Sequence, residues 1–146
     1  MPGVILFVII LIFYGFVLST EVFRRLLGDD RNPQVKAFFD RSDGFFKSET
    51  SRMVMAIGGV MAGLWNFFAP DFGAGYSPTV IGALIPSVIL ILDSLVIYPG
   101  ILGIFNIPQE QKEKVVAFMD RYEGMAGVIT LAVALLHAFL FRIILL

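Results

Sequence analysis

The chain has 146 residues, a formal net charge of −1, 58% hydrophobic and 16% charged residues, and a mean hydropathy of +0.85. Soluble domains run nearer half apolar and a quarter charged, so this balance points to lipid; the near-neutral charge excludes the basic face a nucleic-acid partner needs. Cysteine is absent and histidine occurs once, which excludes disulfides, thiolate metal sites, a cysteine nucleophile and a bis-histidine haem, so no metal and no cofactor is expected.

A membrane-spanning helix needs about 20 mostly apolar residues, and four stretches qualify. The first, 2–20, reads PGVILFVIILIFYGFVLST. It lacks the basic lead and small-residue cleavage site of a secretory signal, and Glu21 and two arginines follow it, so it reads as a retained helix. Asn32-Pro33 then marks a helix start. Val35, Phe38 and Phe39 give that helix one apolar stripe, as in a helix lying on a membrane surface. Gly44 is the expected turn from lying flat to spanning.

The second span, 53–69, contains AIGGVMAG. Gly59 and Gly63 lie four apart with Ala56 nearby, so another backbone can approach closely. Trp65, Phe67 and Phe68 end the span as an aromatic belt. The connection PDFGAGYSP reads as a tight turn, with no basic residue after it to make a phosphate cradle. In the third span, 78–98, Pro86 is expected to kink the helix two turns ahead of Asp93. A second surface helix follows, with Val115, Phe118, Met119 and Tyr122 on one face and Glu110 paired to Lys114 across one turn. It leads through Gly124 into the fourth span, 124–146, where Ala134 and Ala138 offer another small-residue face. The second and fourth spans are the expected inner pair.

All but one of the eleven basic residues fall in the two long connections, Arg24 to Arg52 and Lys112 to Arg121; the exception is Arg142. The positive-inside rule therefore places both connections in the cytoplasm and both termini on the other side of a bacterial-type inner membrane. Those connections also repeat a phrase. VKAFFDRSDGFF from Val35 and VVAFMDRYEGMA from Val115 share Val, Ala, Phe, Asp, Arg and Gly, with Asp43 opposite Glu123. The expected architecture is a single transmembrane domain, 1–146: an all-α four-helix bundle of two parallel-repeat hairpins, 1–75 and 76–146, with two short cytoplasmic amphipathic helices.

Two polar groups are candidate sites. Asp40, Arg41, Asp43, Asp120, Arg121 and Glu123 form a cytoplasmic set that could meet a cation or a partner's basic loop. The alternative is that the acids cap and complement the starts of spanning helices, while the arginines meet lipid phosphates. Within the membrane, Asp93 carries an insertion cost of roughly 2.5–3.5 kcal/mol. At 1.5 Å per residue it lies about 8 Å in from the cytoplasmic end, level with Ser94, Tyr14, Thr130, Gly58 and Gly59. That layer is a candidate proton or cation site; the alternative is one buried hydrogen bond or a salt bridge to another subunit. His137 lies some 11 Å higher and belongs with Asn66 and Arg142.

No P-loop, nucleophile elbow or zincin motif occurs. The expected function is a non-catalytic membrane subunit whose partners are lipids and either its own copies or other membrane chains. A small homo-oligomeric proton- or cation-coupled transporter using Asp93 is the alternative. An enzyme acting on lipid stands third.

Overall fold

The structure, a computed structural model, describes residues 2–28, 31–69 and 84–140. All of its regular elements are helical: α1 (Pro2–Leu18), α2 (Thr20–Leu27), α3 (Pro33–Phe46), α4 (Glu49–Phe68), α5 (Leu84–Ile97), a 3-10 segment (Pro99–Ile104) and α6 (Gln109–Leu140). The expected turn at 70–78, the first part of the third span and Arg142 lie outside the described residues. Among the described residues, α6 over Gln109–Phe139 is long and apolar enough to cross a bilayer unaided. α1 and α2 reach that standard only together, across a 69° bend, and α5 is a shorter apolar helix.

The bend between α1 and α2 has a chemical cause. The Ser19 hydroxyl donates to the Gly15 carbonyl, and Thr20 Oγ1 donates to the carbonyls of Val17 (2.8 Å) and Phe16 (3.1 Å). Hydroxyls that bond back into the preceding turn compete with the helix ladder and bend it. α2 then ends at Gly28, which takes the left-handed conformation (φ 68°) common at helix C-termini. α3 starts as expected: Asn32 Oδ1 accepts from the amides of Gln34 and Val35, with Pro33 at the first helical position. Phe39 anchors α3, buried against the Phe16 ring at 6.4 Å and beneath the Arg24 guanidinium at 5.5 Å.

Two expectations about the connectors are corrected. Gly44 lies inside α3, and the chain turns instead at Lys47-Ser48, where Ser48 is extended and caps α4 by accepting from Ser51 N–H. The second connector is no separate helix: α6 runs unbroken through Gly124. Val115 to Gly127 contains no proline and no residue with its side chain placed to cap a new start. A lone mid-helix glycine costs only about 1 kcal/mol, and Gly124 packs against Val22. The twin phrases therefore take different structures.

Helix partners are also corrected. α1 packs mainly on α6 and α4 mainly on α5, while α5 additionally touches α6 and α1. The expected pairing of the second and fourth spans is not the one adopted; α5 is the element that meets all three other long helices. Glycine sets both main interfaces. A Cβ on Gly63 would lie 3.0 Å from the Ser87 carbonyl of α5, and one on Gly127 would lie 2.7 Å from the Gly15 carbonyl of α1. Ala134 is buried in the core with Phe7, Leu11 and Leu90, whereas Ala138 faces outward.

Candidate functional site

Around α5 the polar side chains stand at three heights. At the middle height Thr130 Oγ1, from α6, donates to Asp93 Oδ2 at 2.7 Å. Both residues are buried, Asp93 at 3% exposure and Thr130 at 0%. Ser94 Oγ donates to the Leu90 carbonyl of its own helix at 2.7 Å, and Tyr14 Oη donates to the Met55 carbonyl of α4. Gly59 makes room for both neighbours, since a Cβ there would sit 2.7 Å from Tyr14 Cε1 and against Ser94 Oγ. The structure thus joins Asp93 directly to Thr130 and gathers Tyr14, Ser94 and Gly59 beside them. Gly58 lies on the exposed face of α4.

Seven residues along each helix, at the outer height, Asn66 Nδ2 donates to Ser87 Oγ at 3.0 Å. His137 is buried there too, its ring edge-on to Phe7 at 6.1 Å. Ser87 was absent from the sequence reading, yet its signal was present. Gly59 meets Ser94 across the α4–α5 interface, so antiparallel counting of seven residues on each helix brings Asn66 to Ser87.

The third height is the charged end. Arg24 bridges Asp40 at 2.9 Å and Asp43 at 3.1 Å. Lys47 bridges Asp43 at 2.7 Å and Glu21 at 3.2 Å. Arg52 donates to the Ile97 carbonyl, capping the end of α5, and stands 4.0 Å from Glu123. A cavity of about 130 Å³ opens among Val17, Thr20, Asp43, Lys47, Arg52, Ile97 and Glu123. The matched acids of the two phrases, Asp43 and Glu123, therefore line one space. Asp40, Arg41, Asp120 and Arg121 are exposed outside it.

Electrostatics follow from those distances. The hydrogen bond to Asp43 raises the Lys47 ammonium pKa, with Glu21 adding to it against some loss from burial. Glu123 stands just ahead of the 124–146 segment. Burial pushes its carboxyl up, opposed by Arg52. The arginine and lysine partners were missed because salt bridges between separate helices leave no spacing in sequence; only Asp43 and Lys47, one turn apart, could have been paired in advance. Among the described residues no three acidic or histidine side chains are grouped to hold a metal. The Asp93 pair can hold or release a proton, and the charged cavity can admit water or a small polar group.

A protein-family model for a domain of unknown function matches residues 3–137. No curated protein and no solved structure matches the chain.

Proposed function

We propose that this chain, which belongs to that family of unknown function, is a polytopic inner-membrane protein acting as a non-catalytic subunit of a homo-oligomer or larger membrane complex. The observation that carries the reading is an inverted distribution of polarity. Ser19, Asn66, Ser87, Asp93, Ser94 and Thr130 are buried, while Ile5, Ile57, Met61, Leu64, Leu92, Ile129 and Leu135 are exposed. A soluble fold arranges these classes the other way round, and a bilayer favours apolar side chains outside and hydrogen-bonded polar ones between helices. In this reading α1, α4, α5 with the residues before it, and α6 cross the bilayer. The charged end faces the cytoplasm, where ten of the eleven basic residues named above gather.

Exposed apolar stripes remain for neighbouring chains or lipid. Along α4 they include Val54, Ile57, Met61 and Trp65. Extraction in mild detergent followed by native mass spectrometry is expected to give a fixed multimer or a fixed ratio with other membrane chains. A monodisperse monomer would defeat the subunit reading. Impermeant amine labelling is expected to reach Lys36 and Lys114 from the same side, and opposite sides would defeat the topology.

A second reading is favoured by the buried Thr130–Asp93 hydrogen bond at 2.7 Å. A carboxyl placed at the meeting point of helices is suited to carrying a proton or monovalent cation in a small homo-oligomeric transporter. Purified chain in liposomes would then move protons or cations, and Asp93→Asn would abolish the flux; an unchanged flux in the variant would exclude it.

A further inference from the structure

The charged cavity and the Asp93 level are stacked on the same helix faces. Ile97 lines the cavity one turn after Asp93, roughly 6 Å along α5. Glu123 lines it two turns before Thr130, about 10 Å along α6. Val17 is one turn from Tyr14, and Arg52 is one turn from Met55, whose carbonyl Tyr14 bonds. Between the cavity and Asp93 stands the Ile97 side chain, 2% exposed. Arg52 binds the Ile97 carbonyl and stands 4.0 Å from Glu123. One guanidinium therefore ties the blocking residue to the carboxylate at the cavity wall.

We infer that this cavity is the water-filled vestibule through which Asp93 exchanges protons with the Lys- and Arg-rich side, with Glu123 as relay carboxylate and Ile97 as the plug between them. The inference rests on the second reading above, in which Asp93 titrates. Glu123 takes a proton from the aqueous side, which weakens its pairing with Arg52. Displacement of Ile97 then lets water connect the two carboxyls, because about 10 Å is too far for direct transfer. The proton leaves Glu123 as a carboxylate and makes Asp93 a carboxylic acid, with Thr130 bonded to Asp93 throughout. The groups acting on Glu123 are Arg52 of α4, Lys47 after α3, Glu21 of α2 and Asp120 of its own helix, with Asp43 across the cavity. Those facing Asp93 are Thr130 of α6 and Tyr14 of α1. Burial, which favours the protonated form of Glu123, suits a group that accepts a proton there.

The chain contains no cysteine, so single introduced cysteines report unambiguously in sealed, oriented vesicles treated with a small impermeant thiol reagent. Ile97→Cys is expected to react from the Lys- and Arg-rich side only, and Val17→Cys serves in the same way if that variant does not fold. Asp93→Cys is expected to react slowly, and roughly tenfold or more faster once Ile97→Ala is added. Reaction from the opposite side, no reaction at the cavity positions, or indifference of Asp93→Cys to Ile97→Ala would overturn the vestibule. In proton-loaded liposomes Glu123→Gln is expected to slow flux about tenfold or more. Flux that needs Asp93 yet ignores Glu123→Gln would overturn the relay alone, whereas wild-type chain that carries no flux would overturn the Asp93 reading beneath it.

Discussion

Two adjacent glycines of α4 allow the central packing to be tested by a change of sign. Gly59→Ala puts a Cβ 2.7 Å from Tyr14 Cε1, 2.8 Å from Tyr14 Cζ and nearer still to Ser94 Oγ. Overpacking of this kind costs about 1–3 kcal/mol. Pushing the Tyr14 hydroxyl off the Met55 carbonyl adds about 0.5–1.5 kcal/mol. Alanine's better helix propensity returns about 0.8–1.0 kcal/mol, leaving a net destabilisation of roughly 1–3 kcal/mol. Gly58→Ala meets only Tyr14 Oη, at an ordinary 3.8 Å, so propensity dominates and the variant is stabilised by up to about 1 kcal/mol. Equilibrium unfolding in mixed micelles, followed by helical circular dichroism and by the single tryptophan, Trp65, measures both. A Gly59→Ala chain as stable as the Gly58→Ala chain would show that α4 and α5 do not approach through this glycine.

Thr130→Ala removes the donor to Asp93 and is expected to cost about 0.6–1.7 kcal/mol, the range for hydrogen bonds between membrane helices; the same unfolding assay reads it, and Thr130→Ser is expected to restore most of the loss. Asn32→Ala removes the cap of α3 at a cost of about 1 kcal/mol, seen as faster hydrogen exchange at the Gln34 and Val35 amides with α5 amides unchanged. Glu123 carries a pH signature. Because burial raises its folded pKa above the ordinary 4.5, protonation favours the folded state, so this group's penalty fades as pH falls through the raised value and is gone below 4.5. Comparing unfolding of wild-type and Glu123→Gln chains between pH 7 and pH 4 is expected to show a smaller pH gain in the variant; parallel curves would contradict the burial. Lys47, also raised, is expected to keep its bridge to Asp43 until pH rises through that raised value, so α3 docking should not weaken at pH 9.

The polar heights were readable because a helix advances by a constant rise. Counting residues from a polar end placed Asp93, Thr130 and Tyr14 together and set His137 apart, whatever the helices did sideways. The start of α3 was equally local, since Asn32 and Pro33 satisfy their own neighbours. Local signals were misleading where their competitors lay elsewhere. Gly44 and Gly124 looked like turns, but Ser48 supplied a better start for α4, and Val22 packs on α6 at Gly124. Ser19 and Thr20 carried a bend signal of their own, which went unread because hydroxyls at the end of an apolar run also suit a membrane boundary.

By itself, then, the sequence determined helical character, the excess of apolar surface, the side on which basic residues gather, and the height of each polar group. Each of these depends on composition or on distance along one strand of chain. Tertiary structure alone decided that α5 stands at the centre, that Gly127 meets Gly15 while Gly63 meets Ser87, and that Asp43 and Glu123 share one cavity. Such choices depend on which faces fit together in the round. Several small-residue stripes compete for the same partners, and only the packing of all of them at once selects among the pairings.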